Sequence, residues 1–283
     1  MWKAVTTFFE ELTHAIAYVA LAELATTVIV TFLTAAAGAA AGALIAQRIV
    51  ERAKSKSDLV REIRNTNAAI SIVFDILNVF LGLKQQHIVP LKTDYDAGRR
   101  ALDEFQAARR AGGQQSLFEF PMDLETIPEI VVPDERLQNI VFEKLSVVGK
   151  PINLASVLVR SIHVLGQSIN KRNQLIEKFM DLPPEDSGQK VRLYFGLPDQ
   201  HGHTDANYPT VVQAVSQYTD DCIWFSKSLI EELSRHGESL KATFQEDFRG
   251  APPKITTIDM RNVGGGLIPP DEDFAAWTAG FVE

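Results

Sequence analysis

The sequence is short of the residues that build covalent and metal-held structure. There is one cysteine, Cys222, in 283 residues. An intramolecular disulfide is therefore excluded, and so is a zinc site made of thiolates. A single thiol suits a reducing compartment for the bulk of the chain, and its helical, apolar surroundings mark it as a small core residue. Six histidines leave little material for a metal centre. There is no nucleophile elbow, no HExxH and no dinucleotide fingerprint, so no motif implies a cofactor. No repeat of 20 to 50 residues is found, which argues against a solenoid or propeller. A second long apolar run is also missing. The stretch from Ile70 to Leu83 is interrupted by Asp75 and Asn78 and reads as a core helix, and a mean hydropathy of -0.02 excludes a polytopic transporter.

What is present is one run, Leu24 to Ala46, of 23 residues without a charge. As a helix it is about 34 Å long, enough to cross a hydrocarbon core. The residues before it carry Lys3 against Glu10 and Glu11, so there is no basic leader, and the run is longer than the apolar part of a secretion signal. It reads as a retained anchor. Arg48, Arg52, Lys54, Lys56, Arg61 and Arg64 follow it directly, which by the positive-inside rule places the larger C-terminal part in the cytoplasm and the N-terminus outside. Trp2 and Tyr18 suit the far interface. Trp2, Val5, Phe9, Leu12, Ile16 and Val19 recur at helical spacing, so residues 1–22 form an amphipathic segment that either lies on the outer leaflet or extends the span.

The span has two faces. Glu23, Thr27, Thr31, Thr34, Gly38 and Gly42 are separated by 4, 4, 3, 4 and 4 residues, a stripe about 100° wide on a helix. Val28, Ile29, Phe32 and Leu33 lie largely outside it. Small residues let helices approach, Gly38 and Gly42 form a GxxxG motif, and threonine hydroxyls can bond across an interface. The stripe fits a close-packed seam between copies of the chain. It also fits a pore lining with Glu23 as a ring of carboxylates at the mouth.

Beyond the span the pattern is helical. Leu59, Ile63, Ile70, Val73 and Leu77 trace one face of a helix that Pro90 kinks or divides and Gly112-Gly113 ends. Residues 114–133 hold three prolines and read as a connector with a short strand at Glu129–Val132. A helix starts near Asp134 and runs to about Val148. The next has its seam at Leu158, Ile162, Leu165, Ile169, Arg172, Ile176 and Phe179, a heptad interrupted by one charge. Lys190–Leu197 reads as a strand, and Thr210 to about Phe248 as a long helix that tolerates Gly237. The tail is irregular, with Phe274, Trp277 and Phe281 available to dock it. The expected architecture is mainly α: an amphipathic segment 1–22, a single-pass transmembrane helix 23–47, a cytoplasmic antiparallel bundle 48–250 and an irregular tail 251–283.

His201-Gly-His203-Thr-Asp205 is the one metal-like cluster. Its HxHxD spacing resembles that of metallo-β-lactamase-type hydrolases, which use HxHxDH after a strand. The resemblance covers five residues; Ala206 stands where the final histidine belongs, and the β-rich surroundings are missing. It implies His201, His203 and Asp205 as the ligands of a membrane-tethered enzyme. Asn67, Ser71, Asp75 and Asn78 form a polar stripe, read as a solvent face or a satisfied seam. Residues 1–56 carry a net charge of +1 and the remainder −9, a balance that disfavours nucleic acid as a partner.

The expected role is non-enzymatic. The chain is a membrane-anchored homo-oligomer whose partners are lipid, itself and a cytoplasmic protein, acting as sensor, effector or scaffold at the inner membrane. Bacterial membrane effectors of stress or phage-defence systems share this build, an analogy of architecture alone.

Overall fold

A computed structural model describes residues 2–112, 118, 120–183, 186–260 and 266–281. It is mainly helical, with no strand among the described residues beyond an isolated bridge between Pro198 and Thr204. The chain divides into two compact units, Met1–Asp58 and Leu59–Glu283.

The described residues of the first unit are all helical. Helix α1 runs unbroken from Trp2 to Leu83, so residues 2–22 share one helix with the apolar run. The side chains of Trp2, Val5, Phe9, Leu12, Ile16 and Val19 lie outside the described residues. From Leu21 on, α1 is long and apolar enough to cross a membrane by length and composition. Val28, Ile29, Phe32 and Leu33 are each more than half exposed. Helix α4 (Lys150–Asp181) passes the same test of length and composition. Its Leu154, Leu158, Leu165 and Ile176 are fully buried in the bundle, so its apolarity is spent on a protein core.

In the second unit α1 ends in a five-residue π turn, Lys84–Ile88, followed by α2 (Val89–Arg110) with Pro90 in its first turn. Proline has no N–H and its ring crowds the carbonyl four residues earlier. The wider turn resolves that conflict: the N–H of Val89 reaches back five residues to Lys84 O. Helix α3 (Asp134–Glu143) is shorter than its sequence pattern suggests. Ser146 does not continue it because its N–H and hydroxyl are both taken by the Glu62 carboxylate. Residues Glu129–Val132 are irregular, since no neighbouring strand is there to pair with them.

The segment expected as a strand at Lys190–Leu197 is helical. Helix α5 (Ser187–Phe195) stops at Gly196, whose φ of 63° is the left-handed conformation glycine adopts freely. An unpartnered strand would leave its backbone donors and acceptors unsatisfied, whereas a helix bonds them internally. Its Tyr194 and Phe195 are almost fully buried.

Helix α6 (Asn207–Asp247) is the axis of the bundle. It runs antiparallel to α4: Lys150 meets Glu232, while the Phe179 and Tyr208 rings lie 5.2 Å apart at the other end. It is antiparallel to the second half of α1 as well, with Glu62 on His236 and Lys84 on Asp220 at 2.6 Å. Helix α6 is therefore antiparallel to both, and the second half of α1 runs in the same direction as α4. Asn67 bridges α1 to the tail, donating to Lys254 O and accepting from Thr256 N, both at 2.8 Å. Ile255 between them packs on Gly237, where an added Cβ would lie 3.1 Å from it. The glycine within α6 thus makes room for the tail. Ser71, Asp75 and Asn78, the rest of that polar stripe, are exposed.

Candidate functional site

The stripe on α1 keeps its line in the structure. Glu23, Thr27, Thr31, Thr34, Gly38 and Gly42 are all exposed. Each threonine hydroxyl donates to the carbonyl four residues earlier: Thr27 to Glu23 at 2.8 Å, Thr31 to Thr27 at 2.7 Å and Thr34 to Val30 at 2.6 Å. The donors are thus satisfied within the helix, which lowers the cost of placing them in an apolar medium. No atom stands within 4 Å of where a Cβ would project from Gly38 or Gly42, so the face is open to a close neighbour.

The His201–Asp205 loop is organised by a residue outside the motif. Asp199 Oδ1 accepts the backbone N–H groups of His201 at 2.8 Å and His203 at 2.9 Å. These bonds, with His203 first, hold the Asp199 carboxyl below its usual range. Asp205 turns to α6 instead and accepts both the backbone and side-chain N–H of Asn207. The two imidazoles lie 6.4 Å apart. Among the described residues no group of three or more His, Cys, Asp and Glu side chains is placed to hold a metal ion. The D-x-H-x-H spacing reads as an aspartate-capped turn, and the Asp199 position is the signal for it.

Two clusters are not evident from sequence motifs. Arg172, the charge in the α4 seam, is fully buried. It donates to Glu125 O at 2.6 Å and reaches Asp123 at 3.4 Å, with the Tyr208 ring centroid 6.0 Å away. Its Nε has no hydrogen-bond partner, and the hydroxyls of Tyr194 and Tyr208 make no well-formed bond, interacting only with each other and, for Tyr208, with Arg172. Burial pushes both phenols up, that of Tyr194 furthest. The heptad interruption was the visible trace of this cluster.

The second cluster ties three elements to one oxygen. Glu62 Oε1 on α1 accepts the N–H of Ser146 at 2.9 Å, the Ser146 hydroxyl, and His236 Nε2 of α6 at 3.1 Å. A carboxylate only accepts, so the His236 proton on this bond sits on Nε2. Burial alone would raise the Glu62 carboxyl, but the bonds from Ser146 and His236 outweigh it and hold it below its usual range. The imidazole does not stand between the serine and the carboxylate, so this is not the geometry of a serine hydrolase. What it does is fix the α3–α4 loop and α6 to α1, four residues past the boundary between the two units.

Compared with protein families, characterised proteins and solved structures, the chain matches none of them.

Proposed function

We propose that the chain is a single-pass membrane protein that assembles with copies of itself through the Glu23–Gly42 face of α1. The helical bundle is its cytoplasmic sensor or effector part. The observation that carries the reading is the face itself: an exposed apolar helix whose threonine donors are satisfied internally and whose two glycines leave open space. Such a helix is suited to hydrocarbon and to close approach by another helix. The run of basic residues from Arg48 supports an orientation with the bundle inside the cell. A role in bacterial stress or phage defence is supported by architectural analogy only. A pore is the second reading, supported by Glu23, an exposed carboxylate at the head of the stripe.

The test is the mass of the detergent-solubilised complex, for wild type and for Gly42→Leu. A defined oligomer that falls apart on Gly42→Leu, with the helical circular-dichroism signal retained, supports the seam. A monomeric wild type, or a Gly42→Leu complex of unchanged mass, defeats it. Four or more copies together with dye uptake on expression would favour the pore; a dimer would favour an anchor.

A further inference from the structure

A cavity of about 710 Å³ lies where the start of α4 faces the later part of α6, with the tail bordering one side. That volume is within the range of small-molecule sites. Its polar wall is built around Glu232, whose side chain is only 9% exposed. The two oxygens of Glu232 hold one cation each, Lys150 Nζ at 2.8 Å and Arg235 Nη1 at 2.6 Å. One carboxylate thus positions two cations on the cavity wall. Arg235 is 64% exposed, and only its Nη1 is engaged by Glu232. His236 lines the same cavity beside them and is held through Nε2 by Glu62. The first residues of α4, Lys150 and Pro151, also border the cavity, and the N-terminal end of this 32-residue helix adds partial positive charge. The opposite wall is apolar: Val147, Val148 and Phe281, the last packed 4.8 Å from Trp277.

We propose that this cavity binds a small phosphate-bearing molecule with a flat or apolar body, the phosphate on Lys150 and Arg235 and the body against Val148 and Phe281. A planar guanidinium pre-oriented by a buried carboxylate is suited to phosphate oxygens, and an aromatic ring beside it suits a nucleobase or another flat group. Binding would be felt at α1, because His236 is bonded directly to Glu62. In this the inference rests on the reading above, in which the bundle senses and α1 responds. The shared chemistry is a phosphate group, whether on a soluble nucleotide or on a lipid headgroup.

The test uses the full chain in detergent micelles. Melting temperature and calorimetric titration are followed with inorganic phosphate, with adenosine monophosphate and with uncharged adenosine. The nucleotide should raise the melting temperature more than phosphate does, and adenosine should leave it unchanged. Arg235→Gln, a change at a largely exposed side chain, should weaken nucleotide binding roughly tenfold with the helical circular-dichroism signal retained, as expected for one lost charge-assisted contact. Lys150→Gln should weaken nucleotide binding in the same way. In nanodiscs, phosphatidylglycerol that competes with the nucleotide where phosphatidylcholine does not would assign the site to a headgroup; absence of competition would assign it to a soluble ligand. No phosphate-dependent shift in the wild type, or equal affinity in Arg235→Gln, overturns the proposal. Gly42→Leu serves as the separating control: binding that survives loss of the oligomer keeps this site even if the membrane seam fails.

Discussion

Trp224 on α6 and Phe274 in the tail stack face to face, with ring centroids 4.3 Å apart and planes within 5° of parallel. The contact is reinforced by polarity. Trp224 Nε1 donates to Asp271 at 2.8 Å and Lys227 reaches the same oxygen at 2.7 Å. The Lys227 bond, helped by Trp224, holds the Asp271 carboxyl below its usual range. Trp277 packs edge-on against Phe225 at 5.1 Å, and with Trp224–Trp277 and Phe225–Phe274 this makes four aromatic pairs that dock this part of the tail on α6. Trp224→Ala should therefore release the tail and destabilise the bundle by about 3–5 kcal/mol. Limited proteolysis checks it: cleavage after residue 250 should accelerate strongly in the variant, and an unchanged cleavage rate would show that the tail is held elsewhere.

Asp221 should limit stability at neutral pH. Burial first, and then the neighbouring Asp220 charge, push its carboxyl up to about 6 from an ordinary 3.8. Well below pH 3.8 it is protonated whether the chain is folded or not, and it costs nothing. As pH rises through the interval up to about 6, the unfolded chain ionises first and stability falls; above that the penalty is constant. Two pH units amount to about 3 kcal/mol, and solvent screening of this half-buried group reduces the effect to about 1–2 kcal/mol. Asp221→Asn should raise the melting temperature at pH 7.5 and lose that advantage well below pH 3.8. A melting-temperature gain independent of pH would contradict the assignment.

Glu62 should behave with the opposite sign. Its folded-state carboxyl is held low, so its contribution is present above the ordinary value of 4.5 and is lost as pH falls through the lower folded one. Glu62→Gln removes the charge that Ser146 and His236 bond to, and should cost about 1–3 kcal/mol at pH 7. The melting temperatures of wild type and variant, followed from pH 7 downward, should converge at the acid end. Parallel curves would mean that shape, not charge, matters at this position.

The buried hydroxyls near Arg172 give a prediction in the stabilising direction. Tyr194 is fully buried and its hydroxyl makes no well-formed hydrogen bond, meeting only the Tyr208 hydroxyl. A buried polar atom without a partner costs about 1–3 kcal/mol, so Tyr194→Phe should be neutral or should stabilise by up to about 1 kcal/mol. Arg172→Ala should cost about 2–4 kcal/mol, since it removes the bond to Glu125 O and leaves a cavity. Denaturant melts decide both, and a costly Tyr194→Phe would require a hydrogen-bonded partner for that hydroxyl.

The long helices were legible because each buries a continuous stripe. Leu158, Leu165, Ile169, Ile176 and Phe179 on α4 and Val215, Cys222, Leu229 and Leu233 on α6 are buried as their spacing indicates. Pro90 marked a change of helical path, and the aromatic tail residues marked a docking. What periodicity could not report is competition for hydrogen bonds between distant segments. Glu62 ends the α3 pattern early from 84 residues away, and Asp199 turns a metal-like spacing into a capped loop. KVRLYFGL has strand composition, but strand structure needs a neighbour, and that is a property of the whole fold. The Lys150–Glu232–Arg235 arrangement was invisible for the same reason: it joins residues 82 apart in sequence.

The π turn at Lys84–Ile88 sets the phase of everything that follows it. One residue more or fewer in a helix rotates the remainder by about 100°. Leu91, Tyr95, Gly98 and Leu102 meet the core because the wide turn places them there, and Gly98 meets it so closely that the Phe120 ring fills the space of a Cβ. The identity of exposed Gln85 and Gln86 is of little consequence to this phasing, whereas their number is decisive. This five-residue turn thus stores positional information as length, and a single deletion within it would turn the buried face of α2 toward solvent in one step.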